Sequence, residues 1–152
     1  MRPLNVIHNF PLISALIAIF IAQFIKVPIH YISRRTINIQ LAFSTGGMPS
    51  SHSAAVAALA TAVGMMDGFS STTFAIALMV SIITMYDAAG IRRHAGMHAS
   101  ALNRMTKTIS VLHNKEQVDP SLKEMLGHRP IEVCAGASLG IAVSLIMKLM
   151  LY

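Results

Sequence analysis

Apolar residues occur in four runs separated by polar loops, and this pattern predicts a helical membrane protein. The runs cover residues 10–25, 53–66, 72–86 and 131–152. A helix perpendicular to the bilayer needs about 20 residues to cross the hydrocarbon core. The fourth run meets this length by itself, and the other three reach it with flanking Ser, Thr and Gly residues. We therefore expect an all-α integral membrane bundle of about four transmembrane helices.

Positive charge is distributed unevenly among the loops between these runs. The first loop, residues 26–51, carries three Lys and Arg residues, and the third, residues 90–130, carries most of the others. The second loop, residues 67–71, carries none. With four spans the first and third loops share one side of the membrane, and the positive-inside rule assigns that side to the cytoplasm. We expect a multi-pass protein of the cell membrane.

The third loop contains a helical pattern of its own. Apolar residues follow helical spacing over residues 102–112, with polar residues opposite. This pattern predicts an amphipathic helix, either at the membrane interface or against the protein surface, and both alternatives stay open. Asp119 and Pro120 then predict the start of a short helix that Gly127 ends.

Composition supports the membrane class and narrows the partners. The chain has 152 residues, which suggests a single domain over residues 1–152; it is 54% hydrophobic and 12% charged. Soluble domains carry about 25% charged residues. The formal net charge is +6, yet no basic stripe with interleaved aromatic residues predicts a nucleic-acid interface. A lipid bilayer and a phosphorylated lipid explain the positive charge better.

The first apolar run and the single cysteine have simple interpretations. The run lacks a small-x-small cleavage site at its end, so we expect it to be retained rather than removed as a signal peptide. Cys134 excludes an intramolecular disulfide, and its apolar context predicts a small core residue.

Two segments place histidine and proline directly before an apolar helix. They are GGMPSSHSAA, residues 46–55, and LGHRPIEV, residues 126–133. The N-terminus of a helix favours anions, because its backbone N–H groups and dipole point toward them. In a four-span topology both segments lie on the same side. The sequence therefore predicts a phosphate site at the membrane surface, built from Ser50, Ser51, His52 and His128.

Hydrolysis of a phosphate ester requires a nucleophile, an acid and cations that hold the non-bridging oxygens. Two histidines, one from each segment, can divide the first two tasks, and Glu132 lies one helical turn after His128, where it can orient the imidazole. Candidate phosphate-binding cations are Lys26, Arg34, Arg35, Arg92 and Arg93. His94 and His98 have the spacing of a metal pair, but no third ligand is identifiable, so we expect neither a metal nor a cofactor.

These residues carry a family resemblance. PSSHS at residues 49–53 resembles the P-S-G-H motif of the type 2 phosphatidic acid phosphatase superfamily, which includes lipid phosphatases and vanadium haloperoxidases. GHRPIEVCAGASLGI at residues 127–141 resembles the final motif of that superfamily. With MYDAAGIRRHAG between them, nearly the whole chain is similar to the divergent bacterial and plant branch.

The resemblance implies metal-independent hydrolysis of a lipid phosphomonoester or pyrophosphate through a phosphohistidine. It implies His128 as the nucleophile, Glu132 as its orienting partner and His52 as the general acid. Ser50 and the Ser51 backbone would bind phosphate, together with Lys26 and with Arg34 or Arg35. Ser51 and Glu132 stand where the superfamily has glycine and aspartate, and Leu122 where it has an arginine.

Two other functions stay open at this point. The protein could bind or transport a lipid phosphate without catalysis, an alternative that Leu122 favours. It could also be a structural membrane subunit, because a small bundle of short helices rich in Ala and Gly can pack closely against a partner protein or against further copies of itself.

Overall fold

A computed structural model describes residues 8–36, 46–112, 122 and 127–151, and these residues form five helices. No strand occurs in these ranges, and the predicted all-α membrane bundle is confirmed. The helices are α1 (Phe10–Arg34), α2 (Ser51–Asp67), α3 (Thr72–Ala89), α4 (Ile91–Leu112) and α5 (Pro130–Leu151). The short helix predicted from Asp119 lies mostly outside the described residues, and Leu122, which is described, is not helical.

Helix α1 is longer than its apolar run. The Asn9 side chain caps its start by accepting from the amide of Leu12, and Arg35, with φ 56°, ends it in a left-handed conformation. The apolar run stops at residue 25, but the helix continues through Lys26 and Pro28. The prediction that the first loop begins at residue 26 is therefore wrong. Once formed, a helix gains one backbone hydrogen bond per added residue, whether or not that residue is apolar.

Helix α2 lies at the centre of the bundle and packs against α1, α3 and α5. Its buried residues are mostly alanines, among them Ala54, Ala58 and Ala62, and they form the core together with α1 and α5. A Cβ atom at Gly140 of α5 would overlap the carbonyl of Ala54. The small-x-x-x-small spacing of Gly136 and Gly140 thus brings the backbones of α2 and α5 close together.

Among the described residues, three stretches are long and apolar enough to cross a membrane: Phe10–Ile32, Thr72–Ser110, which contains α3 and all but the last two residues of α4, and Pro130–Met150. Helix α2, at 17 residues, is shorter than the others and is not among them. Large apolar residues lie outside, for example Phe20 at 61% and Ile83 at 61% exposed. This is the distribution expected where lipid rather than water surrounds the helices.

Two expectations need correction. Helix α4 begins at Ile91, well before the predicted amphipathic stretch at residues 102–112. Cys134 is exposed on α5 rather than buried in the core. In a bundle whose interior is filled by alanine, serine and glycine, an apolar sequence context does not distinguish an inward position from an outward one.

Candidate active site

The starts of α2 and α5 are joined directly. The amide of Ser50 donates a hydrogen bond of 3.0 Å to the carbonyl oxygen of Glu132. Gly136 makes this approach feasible, because a Cβ atom there would overlap the carbonyl of Ser50. The two segments that the sequence singled out therefore lie side by side, as the topology predicted.

Serine residues shape the start of α2. Ser50 is the N-cap, and its Oγ accepts from the amide of Ser53 at 3.4 Å and from the Ser53 hydroxyl at 3.0 Å. Gly47 adopts a φ of 89°, which glycine tolerates in the turn before the cap. Ser50 and Ser51 are buried, whereas His52 lies at the surface of the described structure. This helix start presents backbone N–H groups and the His52 ring at the same end of the bundle.

His128 is held from two sides. Its Nδ1 lies 2.9 Å from Oε2 of Glu132, and its backbone amide donates to the carbonyl of Ala88 at 3.1 Å. The same carboxylate oxygen accepts from the amide of Arg129 at 3.2 Å. A neutral His128 that donates Nδ1–H to the carboxylate keeps its Nε2 lone pair for another partner. The imidazole is therefore oriented as a nucleophile requires.

Lys26 reaches this cluster from α1. It is only 3% exposed and interacts electrostatically with Glu132. Since α1 continues for two further turns beyond it, Lys26 lies among the helices instead of extending from a helix end to the membrane surface. The structure thus brings Lys26, the His128–Glu132 pair and the start of α2 together.

The surroundings of His52, including nearby positive charges, change its pKa. The pKa of His52 is lowered from its usual value, mainly because surrounding protein partly desolvates the ring, and further by the charges of Arg92, His128 and Lys26. These effects favour the neutral form of His52 while no anion is bound. An added anion would offset the repulsion, so the same environment favours phosphate.

Arg92 and Arg93 lie in the first turn of α4. The Nε atom of Arg92 donates to Oδ2 of Asp87 over 2.6 Å, so this guanidinium is engaged by a carboxylate. The backbone of Arg93 contacts Gly127, where a Cβ atom would overlap its nitrogen. The segment that carries His128 therefore passes directly against the first turn of α4.

Arg34 and Arg35 lie at the far end of α1. Arg35 is exposed at the helix C-terminus, and the Arg34 side chain lies outside the described residues. Eight or nine helical residues beyond Lys26 correspond to about 12–13 Å along the axis. The structure places Lys26, rather than Arg35, beside Glu132.

Sequence reasoning missed two features of the site: the Ala88 carbonyl that anchors His128 and the Gly127 contact with α4. The spacing of Gly136 and Gly140 predicted close helix packing, but it did not identify Ser50 as the neighbouring residue. Backbone carbonyls carry no sequence signal, since every residue has one.

Comparisons with known proteins relate the chain to a family and to a bacterial membrane protein. The model of the Divergent PAP2 family matches residues 7–143. The chain is also similar to the "Uncharacterized membrane protein YuiD" of Bacillus subtilis (strain 168), with 44% identity over 153 residues, covering 95% of this chain and 97% of that protein. No solved structure matches.

Proposed function

Because the chain belongs to the Divergent PAP2 family, we propose that it is a multi-pass lipid-phosphate phosphatase of the cell membrane. Its substrate is a phosphomonoester or pyrophosphate carried by a lipid. The observation that carries the proposal is the 2.9 Å contact between His128 Nδ1 and Glu132 at the point where α2 and α5 meet. A carboxylate that fixes one nitrogen of an imidazole makes the other nitrogen available for attack.

The proposed reaction has two steps. In the first, Nε2 of His128 attacks phosphorus, the bond between phosphorus and the leaving oxygen breaks, and protonated His52 gives its proton to that oxygen. The lipid alcohol leaves, or the lipid monophosphate when the substrate is a pyrophosphate. In the second, neutral His52 takes a proton from water, the water oxygen attacks phosphorus, and the bond to His128 breaks. Inorganic phosphate is released and both histidines return to their starting states.

The surrounding residues supply the anion site of the proposal. The buried ammonium of Lys26 and the helix start at Ser50 and Ser51 meet the non-bridging oxygens, and Arg92 and Arg93 approach from α4. Charge-assisted hydrogen bonds of this kind are stronger than neutral ones. They stabilise the charge that develops in the transition state, when they act in a site that excludes water.

The test is phosphate release by purified protein in lipid nanodiscs. The substrate panel holds a diacylglycerol phosphate, an isoprenoid monophosphate and an isoprenoid pyrophosphate, and the variants are His128→Ala and, as a matched control on α4, His98→Ala. We expect His128→Ala to lower release by at least about 10³-fold, the order associated with loss of a nucleophile, while His98→Ala keeps it. A phosphoryl adduct on His128 in quenched wild-type samples would identify the intermediate. Equal release by wild type and His128→Ala would refute the mechanism.

One observation favours a second function. Arg92 is paired with Asp87 over 2.6 Å, which reduces the positive charge that it can offer to a substrate. A protein with this cation set could bind or transport a lipid phosphate without hydrolysing it. Lipid-phosphate binding that persists in His128→Ala, with no turnover of any substrate in wild type, would support that alternative.

A further inference from the structure

Helix α4 has one apolar face that the described protein leaves exposed. Ile91, Leu102 and Met105 are 65%, 51% and 61% exposed. At about 100° per residue these three positions fall within an arc of about 60°. They define what we call the outer face of α4.

Two described residues between α4 and α5, Leu122 and Gly127, contact the opposite face of α4. The side chain of Asn103 donates to the carbonyl of Leu122 and accepts from its amide, each over 2.9 Å. Gly96 is buried, and Gly127 packs against the backbone of Arg93. Leu122 and Gly127 therefore lie on the polar side of the helix, and the outer face points away from them.

The outer face continues toward α3 as an open groove. This groove has a volume of ≈ 410 Å³ and is lined mainly by apolar surface. Its lining residues are Tyr86, Gly90, Ile91, His94, Ala95 and His98. An apolar groove that begins at the end of α3 is large enough for part of a lipid chain.

The charge of α4 distinguishes between the partners that could cover its outer face. Helix α4 carries Arg92, Arg93, Arg104 and Lys107 and no acidic residue. A second copy of α4 would bring the same positive charge and would be repelled. A helix with an apolar face and basic residues on its polar side is typical of helices that lie on anionic membranes.

The position of α4 supports the same partner. It follows α3 after the single residue Gly90, and the stretch that is long and apolar enough to span the bilayer, Thr72–Ser110, contains α3 and most of α4. At 1.5 Å per residue the 18 residues of α3 measure about 27 Å, close to the hydrocarbon thickness of about 30 Å, so the charged start of α4 falls near the membrane boundary. We propose that α4 lies along the membrane surface and docks its outer face on a bilayer rich in anionic phospholipid. This proposal does not depend on hydrolysis at His128.

The experiment uses the full chain in nanodiscs with a spin label at one position of a Cys134→Ala background. Labels are placed at Met105→Cys on the outer face, at Ser100→Cys on the opposite face, and at Ile83→Cys on α3 as a hydrocarbon reference. Collision rates with oxygen and with a soluble nickel chelate report how deeply each label enters lipid. Nanodiscs contain either phosphatidylcholine alone or phosphatidylcholine with 30% phosphatidylglycerol.

We expect the Met105 label to have an oxygen-to-nickel ratio several-fold above that of the Ser100 label and below that of the Ile83 label. The ratio should rise further when phosphatidylglycerol is present, and the double substitution Arg104→Gln, Lys107→Gln should remove that rise. A water-like Met105 label, or one indifferent to anionic lipid, would overturn the proposal. So would strong dipolar broadening between Met105 labels, since that outcome would assign the face to a second copy of the chain.

Discussion

The amide of Ser50 donates a hydrogen bond of 3.0 Å to the carbonyl oxygen of Glu132, and this bond joins the starts of α2 and α5 through two residues that are 82 positions apart in sequence. It sets the start of α2 against the carboxylate that orients His128. Substitutions that disturb this junction should therefore affect packing and the candidate site together.

The close approach of α5 to Ser50 predicts a stability effect at Gly136. A methyl group in Gly136→Ala would overlap the Ser50 carbonyl, and we expect it to cost about 1–3 kcal/mol, as overpacking of a tight core does. A lower midpoint of thermal unfolding in detergent would show this. Gly46→Ala is the control, since a Cβ atom there meets nothing within 4 Å, and its midpoint should stay close to that of wild type. Similar midpoints for both variants would contradict the tight junction.

Removing the charge of Glu132 should disable His128 without displacing it. Glu132→Gln keeps the shape of the side chain but provides a weaker partner for Nδ1, and we expect phosphate release to fall by about 10²–10⁴-fold, the range for loss of acid–base assistance. The ¹⁵N shifts of His128 should report a changed tautomer population, which a purely structural role would leave unaltered. Asp67→Asn, at the opposite end of α2, should release phosphate at the wild-type rate. An unchanged tautomer in Glu132→Gln would argue against this role.

The environment of His52 predicts a pH dependence. Desolvation and the charges of Arg92, His128 and Lys26 lower the pKa of His52 below its usual 6.5, so the folded protein binds this proton less readily than the unfolded chain does. The contribution of His52 therefore destabilises the fold as pH falls through 6.5, and this destabilisation is complete once pH is below the lowered pKa.

An NMR titration of His52 checks that prediction. Arg92→Gln removes one positive neighbour and should move the pKa of His52 back toward 6.5. Arg104→Gln is the matched control, because Arg104 lies twelve residues further along α4, about 18 Å along a helix axis, and it should leave the titration unchanged. A His52 midpoint at or above 6.5 in wild type would contradict the described cluster of cations.

Replacing the buried ammonium of Lys26 should separate binding from folding. Lys26→Met fills similar space, and the Glu132 carboxylate keeps its contacts with His128 Nδ1 and the Arg129 amide, which limits the cost of removing its buried cationic partner. We expect the thermal midpoint to change little, while the affinity for inorganic phosphate, measured by ³¹P NMR titration, falls by at least about tenfold. Lys148→Met, whose ammonium lies over the Phe10 ring, should bind phosphate as wild type does. Equal phosphate affinity in both variants would remove Lys26 from the anion site.

The sequence by itself determined the class of fold and the central part of the candidate site. Long apolar runs with few charges have one stable arrangement in lipid, since a helix satisfies its own backbone hydrogen bonds. The one-turn spacing of His128 and Glu132 also predicted their contact, because residues four apart are neighbours on any helix.

Only the tertiary structure decided which cations approach the site and which faces remain uncovered. Lys26 is buried beside Glu132, and Cys134 points outward. These outcomes depend on how far α1 continues, where α4 begins and how closely α5 approaches α2. Small residues and backbone carbonyls set those distances. Neither produces a periodic pattern of apolar residues in the sequence, so the sequence does not identify which helix will be the neighbour. The sequence thus predicted the elements and their local pairs, and the packing of the helices decided the long-range neighbours.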